Sequence, residues 1–399
     1  MTSKPVVVFY PPFSNNGELN DQLARAVWYL SPLQPKKISF FSRSDIQPFS
    51  LPDSFSPVVR SLYCELKGRE IIKLERDTTD INLARELEQA DMVITWCENP
   101  LAQASPEVRE IIEGRTIKRF EIDKNLRLEG SKFILPSYSR FPKSRYETVK
   151  KCEERYASLA KTHANNKKAY LFCSGPSISQ YKNYDYRDGI SIICNSVIND
   201  TELMDWVKPK VLVFADPIFH FGCSTYTYEF YKQLKRVVEK YDLTIVLPLM
   251  YYNLFVYHMP EMEPRTIGIP FAGDIPVNLD LNSEFNLRAT GNIFTFLMLP
   301  VASSLAEEIH ILGSDGRPIE NDDYFWEHNK KTQFVDQMDD IKVAHPSFFK
   351  LDYNEYYLEH CEAVKQYFQC GESAGKQYYS ITPSYIPALK ERMGRDLVS

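Results

Sequence analysis

Short apolar runs alternate with helical stretches along most of this chain, and that rhythm limits what it can fold into. Val6–Tyr10, Lys37–Phe41, Ile71–Leu74, Met92–Trp96, Ile117–Ile122 and Lys132–Leu135 read as strands. Glu18–Tyr29 and Asp80–Gln89 place apolar residues at three-to-four spacing and read as helices. Such alternation predicts a parallel sheet with helices on its faces. The rhythm restarts with strands over Lys168–Cys173, Gly189–Cys194, Val211–Ala215, Leu243–Pro248 and Glu308–Leu312, and with an apolar helix over Phe294–Leu305. Between the two halves, Arg145–Asn166 reads as a polar, charged helix. The expectation is an α/β chain of two Rossmann-like lobes facing a cleft. Residues 1–144 form the first lobe, 145–167 a helical linker and 168–383 the second lobe. Residues 384–399 form a terminal helix after Pro383 that crosses back to the first lobe.

Composition narrows the partners. At about 150 residues per domain, 399 residues suit two lobes. The net charge of −6 and the scattered lysines and arginines argue against a nucleic-acid surface, which needs a clustered positive field. No apolar stretch reaches the roughly 18 residues of a membrane span, so any membrane association is peripheral. Met1–Pro5 runs straight into the first strand, leaving no room for a signal peptide. The eight cysteines contain no CxxC pair, which points to a reducing cytoplasm, no disulfides and no structural zinc. Aromatics are plentiful, with 25 Tyr and 24 Phe. Most are expected in the cores, while Tyr226, Tyr228, Tyr251, Tyr252 and Tyr324 follow strand ends and can face sugar.

Chemistry-bearing residues gather at the carboxyl ends of strands, where open α/β sheets bind ligands. The loop Pro11–Gly17 after the first strand is one such place. Another is Ser174-Gly175-Pro176-Ser177. Gly175 permits close backbone approach, and Pro176 suits a first helical turn whose N–H groups can hold an anion. Asn195 ends the next strand, and its amide can hold a base or ribose, or simply turn the chain. Asp216 ends the one after, with His220 four residues on. That carboxylate can act as nucleophile or base, or cap the following turn. Thr290-Gly291 opens the apolar helix as a second anion-facing terminus. Gly313-Ser314-Asp315 ends the last strand, with Arg317 beyond. His345 stands in a Pro-punctuated loop and can serve as general base or be structural. His258, His310, His328 and His360 carry no motif. Glu320, Asp322 and Asp323 lack a metal-ligand pattern and read as a solvated loop.

In order and spacing, these motifs from residue 168 to about 390 resemble the bacterial sialyltransferase-like family of CMP-sugar glycosyltransferases. The shared features are a strand followed by Gly-Pro-Ser, Asn195 after Cys194, Asp216-Pro217, Thr290-Gly291 before an apolar helix, Gly-x-Asp at 313–315 and a late His345. Cys173-Ser174 stands where that family has Gly and Asn. The Lys-Pro…Asp-Pro pattern of 208–217 is also similar to flagellin-modification accessory proteins and archaeal pterin diphosphokinases. The added first lobe is similar to that of two-lobed, GT-B-like bacterial transferases of the keto-acid sugar Kdo.

The resemblance implies transfer of a CMP-activated 2-keto-3-deoxy acid sugar, Kdo or a sialic-acid-like nonulosonate, from a nucleotide-sugar donor to a bacterial surface glycan or glycolipid. It implies no cofactor and no metal. The second lobe would bind the donor through Ser174, Gly175, Pro176, Ser177, Asn195, Thr290, Gly291, Ser314 and Asp315. The first lobe would bind the acceptor. Asp216 would be nucleophile in a retaining enzyme, and His345 base in an inverting one, with His220 nearby. The alternatives are a pterin diphosphokinase-like phosphotransferase using Mg²⁺ on Asp216 and Asp315, and a non-catalytic accessory protein.

Overall fold

A computed structural model describes residues 4–114, 117–125, 129–140, 142–318, 331–347 and 352–394. Glu320, Asp322, Asp323, Tyr324 and His328 lie outside the described residues. The first lobe alternates β1 (Val6–Tyr10), α1 (Asn16–Leu30), β2 (Lys37–Phe41), α2 (Val58–Gly68), β3 (Ile72–Glu75), α3 (Asp80–Glu88), β4 (Met92–Thr95), α4 (Pro106–Glu113) and β5 (Lys118–Glu121). Its sheet is parallel in the order β3-β2-β1-β4-β5. Helix starts are locally encoded: Asn15, Thr79 and Ser105 each accept a hydrogen bond from the first turn of α1, α3 and α4.

Next come α5 (Glu129–Ser139) and α6 (Pro142–Thr162). The run Lys132–Leu135, expected as a strand, lies inside α5. Short apolar runs do not distinguish strand from buried helix, and here Phe133 and Ile134 bury one helical face. Helix α6 covers the expected linker. It lies on the second lobe, where Cys152 and Tyr156 are fully buried and Arg155 Nη1 donates to the carbonyls of Glu263 (2.7 Å) and Thr266 (2.9 Å).

The second lobe runs β6 (Lys168–Phe172), β7 (Gly189–Cys194), α7 (Thr201–Val207), β8 (Val211–Val213), α8 (Thr225–Tyr241), β9 (Thr244–Pro248), α9 (Leu249–His258) and β10 (Thr266–Ile269). A two-residue ribbon follows, β11 (Phe271–Ala272) with β12 (Leu287–Arg288). Then come α10 (Leu299–Leu305), β13 (Glu308–Leu312), α11 (Met338–Ala344), α12 (Tyr353–Ser373), β14 (Gln377–Ser380) and α13 (Pro387–Lys390). The main sheet is parallel in the order β10-β9-β8-β7-β6-β13-β14, so strand order reverses between β6 and β13. Both lobes are therefore Rossmann-like, and the chain is a two-lobed, GT-B-like α/β protein.

Where the terminal helix was expected over 384–399, the described residues form only the single turn of α13. Pro387 starts it, and the chain then pairs Ser380 with Met393 along β14. The described tail thus stays on the second lobe.

The lobes are joined by a continuous apolar core. The chain after β8 supplies much of the contact. Phe55 forms an antiparallel bridge with Ser224, and Ser56 N–H donates to the Cys223 carbonyl (2.8 Å). Trp28, on α1, is fully buried; its indole N–H donates to the Phe221 carbonyl (2.9 Å) and its ring stacks 3.7 Å from His258. Buried indoles need such a partner for the N–H.

Candidate functional site

The reversal of strand order in the second lobe fixes the first part of the site. Phe172 pairs with Leu312, so the chains leaving β6 and β13 emerge side by side at the carboxyl edge. Here Gly175, Ser177 and Asp315 come into contact. Asp315 accepts from the Ser177 N–H (3.1 and 3.2 Å) and from its hydroxyl (2.9 Å). The Gly175 N–H donates to the Gly313 carbonyl (2.8 Å). The expectation of an open anion site at this turn is thereby corrected: these amides are already bonded, one of them to the protein's own carboxylate. A carboxylate at a helical start is the internal equivalent of a bound anion. Burial pushes the Asp315 pKa up from 3.8, opposed by the Ser177 hydrogen bonds. Only glycine fits at 175, since a Cβ there would stand 2.1 Å from Asp315 Oδ2. Ser174 is half-buried, Pro176 exposed, and Ser314 buried with its carbonyl accepting from Ser384 Oγ (2.7 Å).

Asn195 follows β7 on the same edge with φ 49°, in the left-handed region. Its side-chain Oδ1 is buried and accepts no hydrogen bond from the described protein. Thr290 and Gly291 lie farther along the chain. They line a cavity of 280 Å³ with Tyr356, His360 and Tyr367 of α12. Thr290 Oγ1 is 2.9 Å from Thr295 Oγ1, and the Gly291 carbonyl accepts from the Tyr356 hydroxyl. The apolar helix opens there as a turn of π-helix, Phe294–Met298, before α10.

Asp216 lies just past β8, half-buried. Its Oδ1 accepts from the backbone N–H groups of Ile218 (2.9 Å) and Phe219 (3.0 Å), so the side chain is fixed at the turn. Burial raises its pKa from 3.8, while those two N–H groups and His345 pull it down. His220 departs from expectation. It is 2% exposed, packed among Phe214, Phe221 and Phe230, and burial drives its pKa down to about 3. A neutral ring in that apolar cage is a core residue.

His345 is fully buried, and two residues that no motif marks hold it. Glu129, at the start of α5, lies 3.0 and 3.1 Å from His345 Nδ1. Arg25, on α1, donates from Nη1 to Glu129 Oε1 (2.7 Å), from Nε to Asp21 Oδ2 (3.0 Å) and from Nη2 to the Ala344 carbonyl. A carboxylate can only accept, so Nδ1 carries a proton, and Nε2 is the nitrogen that bears the lone pair whenever the ring is neutral. That Nε2 is buried without a hydrogen-bond partner among the described residues. A Cβ at Gly222 would stand 2.7 Å from it, so the loop after β8 covers it closely. Burial weakens the Arg25 charge, but Asp21 and Glu129 outweigh it and raise its pKa. Arg25 and Lys124 likewise outweigh burial at Asp21 and hold its carboxyl below 3.8.

The matching crevice of the first lobe is filled. Phe13 stacks on Trp96 (4.5 Å), whose N–H donates to the Pro11 carbonyl (2.7 Å). Of the tyrosines expected to face sugar, Tyr226, Tyr251 and Tyr252 are buried, and Tyr226 donates to Gln333 (2.5 Å). All eight cysteines are free, and no group of three potential metal ligands occurs among the described residues.

No protein-family model matches the chain, and no curated protein matches it. Among solved structures it is similar to an alpha-2,3-sialyltransferase from Campylobacter jejuni in apo form. The identity is 17% over 55% of this chain and 76% of that one, with a TM-score of 0.28.

Proposed function

We propose that the chain is a glycosyltransferase moving a CMP-activated 2-keto-3-deoxy acid sugar, Kdo or a sialic-acid-like nonulosonate, onto a glycan acceptor, and that it retains configuration. This function rests on one observation. At the seam of the lobes, a fixed carboxylate, Asp216, opens the loop whose Gly222 covers a histidine that is oriented by a carboxylate, Glu129. Asp216 Oδ1 is held by two N–H groups, and Oδ2 accepts no hydrogen bond from the described protein. Oδ2 attacks the anomeric carbon of the donor, whose bond to the phosphate oxygen breaks, and CMP leaves with the electron pair. A glycosyl ester on Asp216 results. The acceptor hydroxyl then displaces Asp216 and passes its proton to His345 Nε2. Two displacements retain configuration. The half-buried Asp216 is less enclosed than the fully buried His345, which favours this order over a single inverting displacement. Acceptor access to Nε2 requires the Gly222 loop to move aside. Asn195, with its unpaired Oδ1, takes a donor from the cytidine or ribose.

Incubation with CMP-Kdo and with CMP-sialic acid tests this. CMP release is expected from one of them, with an intact-protein mass increase equal to the sugar and absent from Asp216→Ala. No CMP release from either donor rejects the function. CMP release with an inverted product and no adduct rejects the role of Asp216.

A further inference from the structure

The amino-terminal edge of the second sheet, remote from Asp216 and Asp315, holds a cavity of 720 Å³. That volume lies within the usual range for ligand sites. It is walled by the turn between β6 and β7, by the end of α7 and by the approach to β8. Four cations line it: Lys182, Arg187, Lys208 and Lys210. Lys182 pairs with Glu202 and Arg187 with Asp185, whereas Lys208 and Lys210 are exposed and form no ion pair with the described residues. Asp185 is the lone carboxylate of the lining. On a chain of net charge −6, this is a local reversal of sign.

An indole completes the wall. Trp206 is 52% exposed, unlike the deeply buried Trp28, and its ring meets Tyr181 edge-on with 6.4 Å between ring centres. A large aromatic left half in solvent beside unpaired cations is a ligand surface more than a piece of core. Lys208 also takes a left-handed backbone, φ 49°, to close α7. The helix therefore presents its carbonyl end here, so an anion at this wall is drawn by the lysine side chains and not by the helix. The cations are spread along the wall. Lys208 and Lys210 are two positions apart on the approach to β8, and Lys182 and Arg187 come from another segment.

We propose that this cavity binds an acidic oligosaccharide, with Trp206 stacking on a pyranose face and Lys208 and Lys210 pairing with carboxylates on successive residues. Spaced cations match spaced charges along a chain, and a flat half-exposed ring matches a sugar face. The site stands apart from the transfer chemistry, so it retains or loses its ligand whether or not Asp216 acts as nucleophile.

Calorimetry with the full chain and an oligogalacturonate tests it, with maltohexaose and CMP as comparison ligands. Binding of the oligogalacturonate that weakens as salt rises is expected, with no binding of maltohexaose. Lys208→Glu with Lys210→Glu abolishes it, and Trp206→Ala weakens it about three- to tenfold. These side chains are exposed, and unchanged circular dichroism and melting check each variant's fold. The neutral pair Lys208→Gln with Lys210→Gln gives an intermediate loss. Failure to bind the oligogalacturonate, equal binding of maltohexaose, or a CMP affinity lost in the same lysine variants overturns the proposal.

Discussion

Replacing Arg25 by Met gives the sharpest test of how the lobes are held together. Arg25 and Glu129 side chains are both fully buried, and Arg25 donates to Asp21, to Glu129 and to the Ala344 carbonyl. Its guanidinium also sits 5.6 Å from the ring centres of Phe55 and Phe133. Methionine fills much of the same volume but leaves the fully buried Glu129 without its guanidinium and Asp21 with Lys124 alone. Breaking a buried pair from one side costs about 3–5 kcal/mol. Glu129→Gln removes one carboxylate, keeps the shape and accepts still from Arg25, so it costs less, about 1.5–3 kcal/mol. In the double variant the unpaired charge at 129 is gone. Its cost is then smaller than the sum of the singles by about 1–3 kcal/mol. Urea unfolding followed by Trp fluorescence measures all four proteins, and Trp28 at the lobe seam reports the transition. An Arg25→Met loss under about 1 kcal/mol, or strict additivity in the cycle, refutes the claim that these charges depend on one another.

Four further outcomes follow from the same geometry. Glu129→Gln lowers sugar transfer by about tenfold or more and shifts its pH profile, because the amide no longer fixes the Nδ1–H tautomer of His345. An unchanged pH profile removes Glu129 from that role. Acid sensitivity comes chiefly from His220, His258 and His360, whose folded pKa values are held down to about 3, about 4 and about 4 by burial, against 6.5 when free. The unfolded chain binds protons that the folded one refuses, so stability falls as pH drops from 6.5 towards 4, by up to about 4 kcal/mol per pH unit from the three. His220→Phe removes about a third of that slope and leaves sugar transfer within about threefold, whereas abolished transfer in a well-folded variant restores a catalytic role for His220. Gly175→Ala destabilises by about 1–3 kcal/mol or more, since its Cβ would meet Asp315 Oδ2 and, at 2.6 Å, the Gly313 carbonyl; a neutral effect in thermal melting contradicts the packing at the strand reversal. Asn195→Gly keeps the left-handed turn but removes the amide, so CMP-sugar affinity falls about tenfold with little change in melting, and equal affinity dismisses Asn195 as a donor contact.

The strands were legible where the residues leave little choice. Val6–Tyr10, Lys37–Phe41, Gly189–Cys194 and Glu308–Leu312 form as read, because β-branched and aromatic runs bounded by turn residues fit a doubly covered parallel sheet. The edge strands Thr266–Ile269 and Gln377–Ser380 went unread, since each is only four residues and carries glycine or polar side chains. Ser177 and Asp315 were both read as site residues, and they meet because their strands flank the reversal. Their mutual hydrogen bonds were not legible, because a helical start looks the same in sequence whether its amides face a ligand or an internal carboxylate. His220 failed for a related reason: four residues from Asp216 along the chain, its ring is turned into a phenylalanine cage that no local pattern shows.

Glu129 is the residue that sequence could not supply, and the reason is physical. It follows the first sheet, lies 216 positions from His345 and belongs to no motif. Its partners come from opposite sides of the fold, Arg25 from the first lobe and His345 from the second. Apolar residues of similar volume would fill that seam at little or no loss of stability, so packing alone does not require the charges. What apolar residues cannot do is fix a histidine tautomer. With Glu129 accepting from Nδ1 and Arg25 and Asp21 balancing the carboxylate, His345 is held with its Nε2 lone pair beneath Gly222. Because the holding groups come from both sides, this histidine geometry exists only once the lobes have docked. A second lobe expressed alone, from 168 onward, would lack Arg25 and Glu129 and therefore any means of setting that proton.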